Sequence, residues 1–247
     1  MSPSSSLLNL FAARSFDLRY QLQRMNAPVN KHRWLMTPQT INAYFHPSLN
    51  EIVFPAAILQ PPFFDVYADD AVLFGSLGAV VGHEMTHGFD DQGRKYDSTG
   101  NMRDWWACSD GEAYEARAKV MKAQAEQFEV HGVKLNGFLT MGENIADLGG
   151  LKLALRALKT ELAKRATPPL LIQGLTAEQR FFIAWSQCWR DNTKEERAKQ
   201  LVAIDPHGPH IFRANAPLKN MQEFVDAFRV PEGRGMYLPP EQRVDIW

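Results

Sequence analysis

A chain of 247 residues with 45% apolar content is long enough for one large domain or two small ones around an ordinary buried core. Twenty-seven basic residues against 28 acidic ones give a formal charge of -1, and no long Lys/Arg block occurs, which argues against nucleic acid or an acidic membrane surface as the main partner. Cys108 and Cys188 lie far apart without CxxC spacing, so free, buried thiols are expected rather than a disulfide or a metal knuckle. The opening "MSPSSSLLNLFAARSFDLRYQ" lacks a basic n-region and a long apolar run, so no signal peptide or transmembrane helix is read there. No N-x-S/T acceptor occurs either, and the chain as given is expected in the cytoplasm.

In chain order, helical spacing runs from residue 7 to 25, and "NAPVNKHRWLMTP" then forms a loop. "INAYF" and "EIVFPA" read as the strands of a hairpin turned by "HPSLN". From about Asp69 to Phe89 a proline-free apolar run predicts a largely buried helix, followed by the loop "DDQGRKYDSTGN". Ser109 to Glu112 reads as a capping box opening a helix to about Phe128, with "HGVKLNG" as the next loop. A further helix is expected from near Gly142 to about Ala163, broken by "ATPPL". A second capping box, Thr176 to Gln179, opens the helix carrying "RFFIAWSQCWR". A polar helix near 193 to 202, a loop over "IDPHGPHIF", a short helix from 218 to 228 and an irregular tail complete the chain. The expected architecture is mainly α with a small β-sheet, as a single catalytic domain over 1–247: an N-terminal helix and linker to 36, a core over 37–230 and a tail over 231–247.

The stretch "VVGHEMTHGFDDQG" carries the chemistry. His83 and His87 are one helical turn apart, so both imidazoles leave the same face and can meet one Zn²⁺. Glu84 beside them is placed to take a proton from a water that the metal activates, the H-E-x-x-H arrangement. Burying two histidines and a glutamate unpaired would be costly, and a metal gives the imidazoles a partner. A catalytic zinc needs a third protein ligand. Glu143 and Asp147 in "GENIADLGG" share one helical face, Glu143 as candidate ligand and Asp147 as acceptor for a ligand histidine, although acids in a first helical turn are also favourable for the helix alone.

Five ordered blocks, "NAYFHPSLNEIVFPAAILQPPFF", "VVGHEMTHGFDDQGRKYDSTGNMRDWW", "GENIADLGGLKLAL", "FFIAWSQCWR" and "DPHGPHIFRANAPLKNMQEFVDAF", resemble the neprilysin family of zinc metalloendopeptidases, as does the ending "RVDIW". The resemblance implies a thermolysin-like (gluzincin) catalytic domain with one Zn²⁺ per chain. It implies His83, His87 and Glu143 as zinc ligands, Glu84 as general base and Asp147 as partner of a ligand histidine. It further implies that Asn42 and Ala43 bind the backbone of a peptide substrate by β-augmentation. By the same matching His207 stabilises the oxyanion, and Arg213 contacts substrate carbonyls and braces the site. Ile58, Phe63, Val80 and Trp189 would line the pocket for the residue after the scissile bond, implying cleavage on the amino side of large hydrophobic residues. His32, His46, His131 and His210 match no motif position and read as surface or loop histidines, while Asp90 and Asp91 are candidates to orient His87.

Members of that family are far longer, and this chain resembles only their C-terminal third, without the helical lid, the N-terminal catalytic segments or a membrane anchor. The expected consequences are an open cleft and an exposed apolar surface that favours self-association or a partner chain. The alternative function is a truncated, non-catalytic zinc-binding or peptide-binding fragment that needs those segments or a partner. An aminopeptidase would want an acidic anchor for a free peptide N-terminus, and the sequence shows no such signature.

Overall fold

The computed structural model describes residues 3–165 and 171–246, so the expected break at "ATPPL" and the terminal Trp247 lie outside the described residues. The chain divides into two compact units, Met1–Leu35 and Met36–Trp247. The first carries helix α1, Ser6–Arg24, whose start is capped by the Ser5 hydroxyl accepting from the Leu8 N–H at 3.3 Å.

In the second unit the expected hairpin forms between β1, Tyr44–His46, and β2, Glu51–Val53, with Tyr44 opposite Val53. The apolar run after Asp69 is helical over 70–89, but not as one regular helix. It comprises α2 (Asp70–Leu73), a π-helical segment (Phe74–Gly78), α3 (Ala79–Thr86) and a 3₁₀ turn (His87–Phe89). Asp69 caps the run by accepting from the Ala71 N–H, and Ser76, whose hydroxyl lies 2.7 Å from the Val72 carbonyl, sits within the widened segment. α4 spans Cys108–Glu126 and α5 Met141–Ala163.

Several sequence expectations need correction. Ser109 is not an N-cap: the chain enters α4 in extended conformation at Ala107, after Trp106 has packed edge-on against Tyr114, and Ser109 falls in the first helical turn. Cys108, expected to be buried, is exposed at that helix start, while Cys188 is half-buried; both are free. "HGVKLNG" is not wholly a loop: it supplies the turn and second strand of a small hairpin, β3 (Glu129–Val130) with β4 (Val133–Lys134), turned by His131 and Gly132, both at positive φ. The small sheet is thus two separate two-stranded ribbons.

α6, Ala177–Cys188, begins at the predicted capping box, with Thr176 Oγ1 accepting from the Gln179 N–H and Gln179 Oε1 from the Thr176 N–H. α7 spans Glu195–Ile204. The loop expected over "IDPHGPHIF" ends earlier, because α8, His210–Lys219, starts directly after Pro209, and the last helix, α9, is separate at Gln222–Phe228. Burial of Phe212, Arg213 and Leu218 secures α8 where local composition favours a loop. Among the described residues no helix is long and apolar enough to cross a membrane.

α5 is the axis of the core. Ile145, Leu148, Leu151, Leu155 and Leu158 are almost fully buried against Tyr114 and Met121 of α4, Phe181, Phe182 and Trp185 of α6, and Val244 and Ile246 near the C-terminus. Its opposite contact is with α3, and here the helices touch backbone to backbone. A Cβ on Gly82 would lie 2.7 Å from the Gly150 carbonyl oxygen, and one on Gly150 would lie 2.5 Å from the His83 nitrogen. Only glycine admits that approach, and it brings the faces holding His83, His87, Glu143 and Asp147 together.

Alanine normally improves a helix interior over glycine by about 1 kcal/mol. At this crossing the sign should reverse: Gly150→Ala is expected to destabilise by about 1–3 kcal/mol through overpacking, read as a lower denaturant midpoint. An unchanged or raised midpoint would mean that the helices are not held at this distance.

Candidate active site

His83 and His87 leave α3 and the turn after it towards the first turns of α5. His83 Nδ1 is 2.8 Å from Asp147 Oδ1, and His87 Nδ1 is 2.7 Å from Asp90 Oδ2. An ionised carboxylate only accepts, so each Nδ1 donates to its aspartate and each Nε2 is the nitrogen turned to the centre, where it can hold a proton or a metal. Those two Nε2 atoms are 3.0 Å apart. Glu143 adds Oε2 at 3.2 Å from His83 Nε2 and Oε1 at 3.7 Å from His87 Nε2. Glu143 Oε2 is buried and has no hydrogen-bond partner.

Three lone-pair donors converging on one point repel one another unless a cation lies between them. Donors of a tetrahedral zinc shell stand about 3.3 Å apart, as follows from bond lengths of about 2.0–2.2 Å, and the observed separations match. The set His83, His87 and Glu143 therefore fits Zn²⁺ in donor type and spacing. The electrostatics agree. Burial disfavours a charged His83, yet Asp147 and Glu143 outweigh it and push its pKa up to about 9. Burial likewise opposes ionisation of Glu143, and the histidines, His83 foremost, more than offset it and hold its carboxyl low. A site that holds a proton this firmly offers the same attraction to a metal cation.

Asp147 is also ionised despite full burial, because Arg213 and His83 outweigh the desolvation. Arg213 grips it with two bonds, Nε to Oδ2 at 2.8 Å and Nη2 to Oδ1 at 2.6 Å. The same guanidinium lies 3.8 Å from the ring centre of Trp189, and the Arg213 carbonyl accepts from Trp185 Nε1. A continuous chain thus runs from Trp189 through Arg213 and Asp147 to His83.

Glu84 is buried beside the donor set, and its Oε2 has no partner. Burial raises its pKa, against the pull of His83 and His87. That is the state of a base kept out of ion pairs and free to take a proton. His207, in the loop before α8, has Nε2 at 3.3 Å from Glu143 Oε2 and Nδ1 at 2.7 Å from Asp205 Oδ1. With Nδ1 donating to Asp205, Nε2 donates only when the ring is doubly protonated.

These groups floor a cleft of about 480 Å³. Asn42, Ala43, Ile58, Phe63, Val80, Trp189 and Arg213 all line it; of the site residues named from the sequence, Asp147 lies behind the histidines and Asp91 lies outside the cleft, where it accepts from Gln92 and leaves His87 to Asp90. Ala43, Ile58 and Val80 form one apolar cluster with Phe54, Phe63 and Leu77 packed against it. β1 pairs with β2 along one edge and with no further strand among the described residues, and its Tyr44 and Phe45 border the cleft. Of the four histidines set aside, His131 turns the second hairpin and His210 opens α8 beside Trp189. Sequence reading missed Asp205. Its signal was the Asp-x-His spacing, in which a loop aspartate accepts from the N–H two residues on, here at 2.9 Å.

The sequence model of Peptidase family M13 matches residues 42–244. The chain is 40% identical to Neprilysin-3 of Drosophila melanogaster over 249 residues, covering 100% of this chain and 31% of that protein. It is 42% identical to Endothelin-converting enzyme 1 of Rattus norvegicus over 234 residues, covering 94% and 30%. Among solved structures, the zinc metalloprotease ZMP1 of Mycobacterium tuberculosis in complex with an inhibitor superposes with a TM-score of 0.90 at 45% identity, covering 94% of this chain and 36% of that one. The chain spans about a third of the length of the curated relatives it matches. With this match running through the donor helices, the cleft wall and the core alike, the chain belongs to Peptidase family M13.

Proposed function

We propose that this chain is the catalytic part of a zinc-dependent endopeptidase that cleaves on the amino side of large hydrophobic residues. The observation that carries the reading is a buried, unpartnered Glu84 beside three convergent donors. A purely structural zinc site has four protein ligands and no use for a base, whereas this one has three and a base.

In this reading His83, His87 and Glu143 hold the metal, with Asp147 and Asp90 fixing the imidazoles. Bound there, Zn²⁺ supplies Lewis-acid polarisation of a carbonyl and acidifies water. Glu84 takes the proton of the attacking water and delivers it to the departing amine. His207, protonated and held by Asp205, donates from Nε2 to the oxyanion that develops on the scissile carbonyl. A peptide lies along β1 with its backbone bonded at Asn42 and Ala43, and Arg213 contacts its carbonyls. The residue after the scissile bond enters the wall of Ile58, Phe63, Val80 and Trp189, whose apolar side chains favour a large hydrophobic residue. The peptidase core is assigned to 37–230, and self-association or a partner chain through surface left uncovered belongs to the same proposal.

Glu84→Gln is expected to retain stoichiometric zinc while hydrolysis of a fluorogenic peptide with Phe or Leu after the scissile bond falls by about 10²–10⁴. Undiminished hydrolysis would remove Glu84 from the mechanism. His207→Ala should lower turnover by about 10²–10³ with zinc content unchanged; a rise in KM alone, at constant kcat, would reassign that residue to ground-state binding.

A further inference from the structure

Two aspartates follow the metal helix, and the structure uses them differently. Asp90 is fully engaged: Oδ2 accepts from His87, and Oδ1 accepts from the backbone N–H groups of Gln92 at 2.8 Å and Gly93 at 2.7 Å. Asp91 is not. Its Oδ2 accepts from Gln92 Nε2 at 2.6 Å, while its Oδ1 is buried without a hydrogen-bond partner.

That oxygen rests on the start of α5. A Cβ on Gly142 would lie 2.8 Å from Asp91 Oδ1 and 3.2 Å from Asp90 Oδ2, so the absence of a side chain there is what admits both carboxylates. Gly142 is in the first turn of a 23-residue helix whose N-cap residue, Thr140, makes no side-chain capping bond to the first-turn N–H groups, its hydroxyl donating instead to the Asn136 carbonyl. The first turn of such a helix carries unsatisfied N–H groups and partial positive charge, and it attracts anions. The next residue is Glu143.

We propose that Asp91 is a positioning residue for the third metal donor: its carboxylate, held against Gly142, sets where the first turn of α5, and with it Glu143, stands relative to His87. The proposal rests on the zinc reading above. Attraction between the helix start and the carboxylate draws the turn inward, and contact at Gly142 fixes how near it comes. Because Asp90 grips His87 from the adjoining position, donors on two different helices are referenced to one dipeptide. Leaving an oxygen buried and unpaired costs stability, which identifies Asp91 as serving the site rather than the fold.

The test compares zinc affinity, by competition with a chelating dye, and melting of the metal-free protein across wild type, Asp91→Ala, Asp91→Asn, Gly142→Ala and the Asp91→Ala/Gly142→Ala pair. Both Asp91 variants should bind zinc about tenfold or more weakly, while the metal-free melting temperature is not lowered. Gly142→Ala should weaken zinc about as much, although alanine is the better helix former, and should add less than about twofold in the Asp91→Ala background. Wild-type affinity in both Asp91 variants, or independent, additive losses from positions 91 and 142, would overturn the proposal. A purely structural Asp91 would instead lower metal-free melting and leave zinc affinity intact, and that result overturns it too. If wild type itself binds no zinc, the zinc reading fails and the proposal with it.

Discussion

The site depends on one close approach, the backbone contact of α3 and α5 at Gly82 and Gly150. Helices separated by ordinary side chains stand about 8–10 Å apart at their axes. With glycine on both sides these two come nearer, and side chains within about two turns of the contact meet in pairs: His83 with Asp147, and His83 and His87 with Glu143. Packing is thus converted into ligand geometry. The donors need no loop to bring them together, because they project from two regular segments already locked by the leucine-rich face of α5 in the main core.

Charge arrangement completes what packing begins. Each imidazole is fixed by an aspartate at Nδ1, and each of those aspartates is fixed in turn, Asp147 by Arg213 and Asp90 by two backbone N–H groups. A histidine oriented this way presents its Nε2 lone pair without rotational loss, which is how outer contacts contribute to metal affinity. The Asp147–Arg213–Trp189 chain also ties His83 and the three-donor group to the wall of the cleft. A change in what occupies that wall therefore bears on the electrostatics of His83 as well as on shape.

Much of this was legible in the residues. The i, i+4 spacing of His83 and His87 placed both on one face, and the Thr176–Gln179 capping box opened α6 where it was read. For Glu143 and Asp147 spacing left two readings open, since acids at a helix start need no metal; in the fold both carboxylates lie beside His83, at 3.2 and 2.8 Å. What failed to show in sequence was set by distant contacts. α8 begins among prolines because Phe212 packs on Phe128 and Arg213 pairs with Asp147, partners 84 and 66 residues away (212−128 and 213−147). The π segment before α3 and the helix start ahead of Ser109 likewise answer to packing that no local pattern encodes. Asp90 stood in plain view, and only its geometry separates it from Asp91.

The central claim is that two helices preform a three-donor zinc site from two imidazoles and one carboxylate. X-ray absorption at the zinc edge of the zinc-loaded chain tests it most directly. The account predicts one zinc per chain with two imidazole nitrogens and a low-coordinate oxygen shell, all at about 2.0–2.2 Å. A sulfur scatterer at about 2.3 Å, or a shell without two imidazoles, would contradict it.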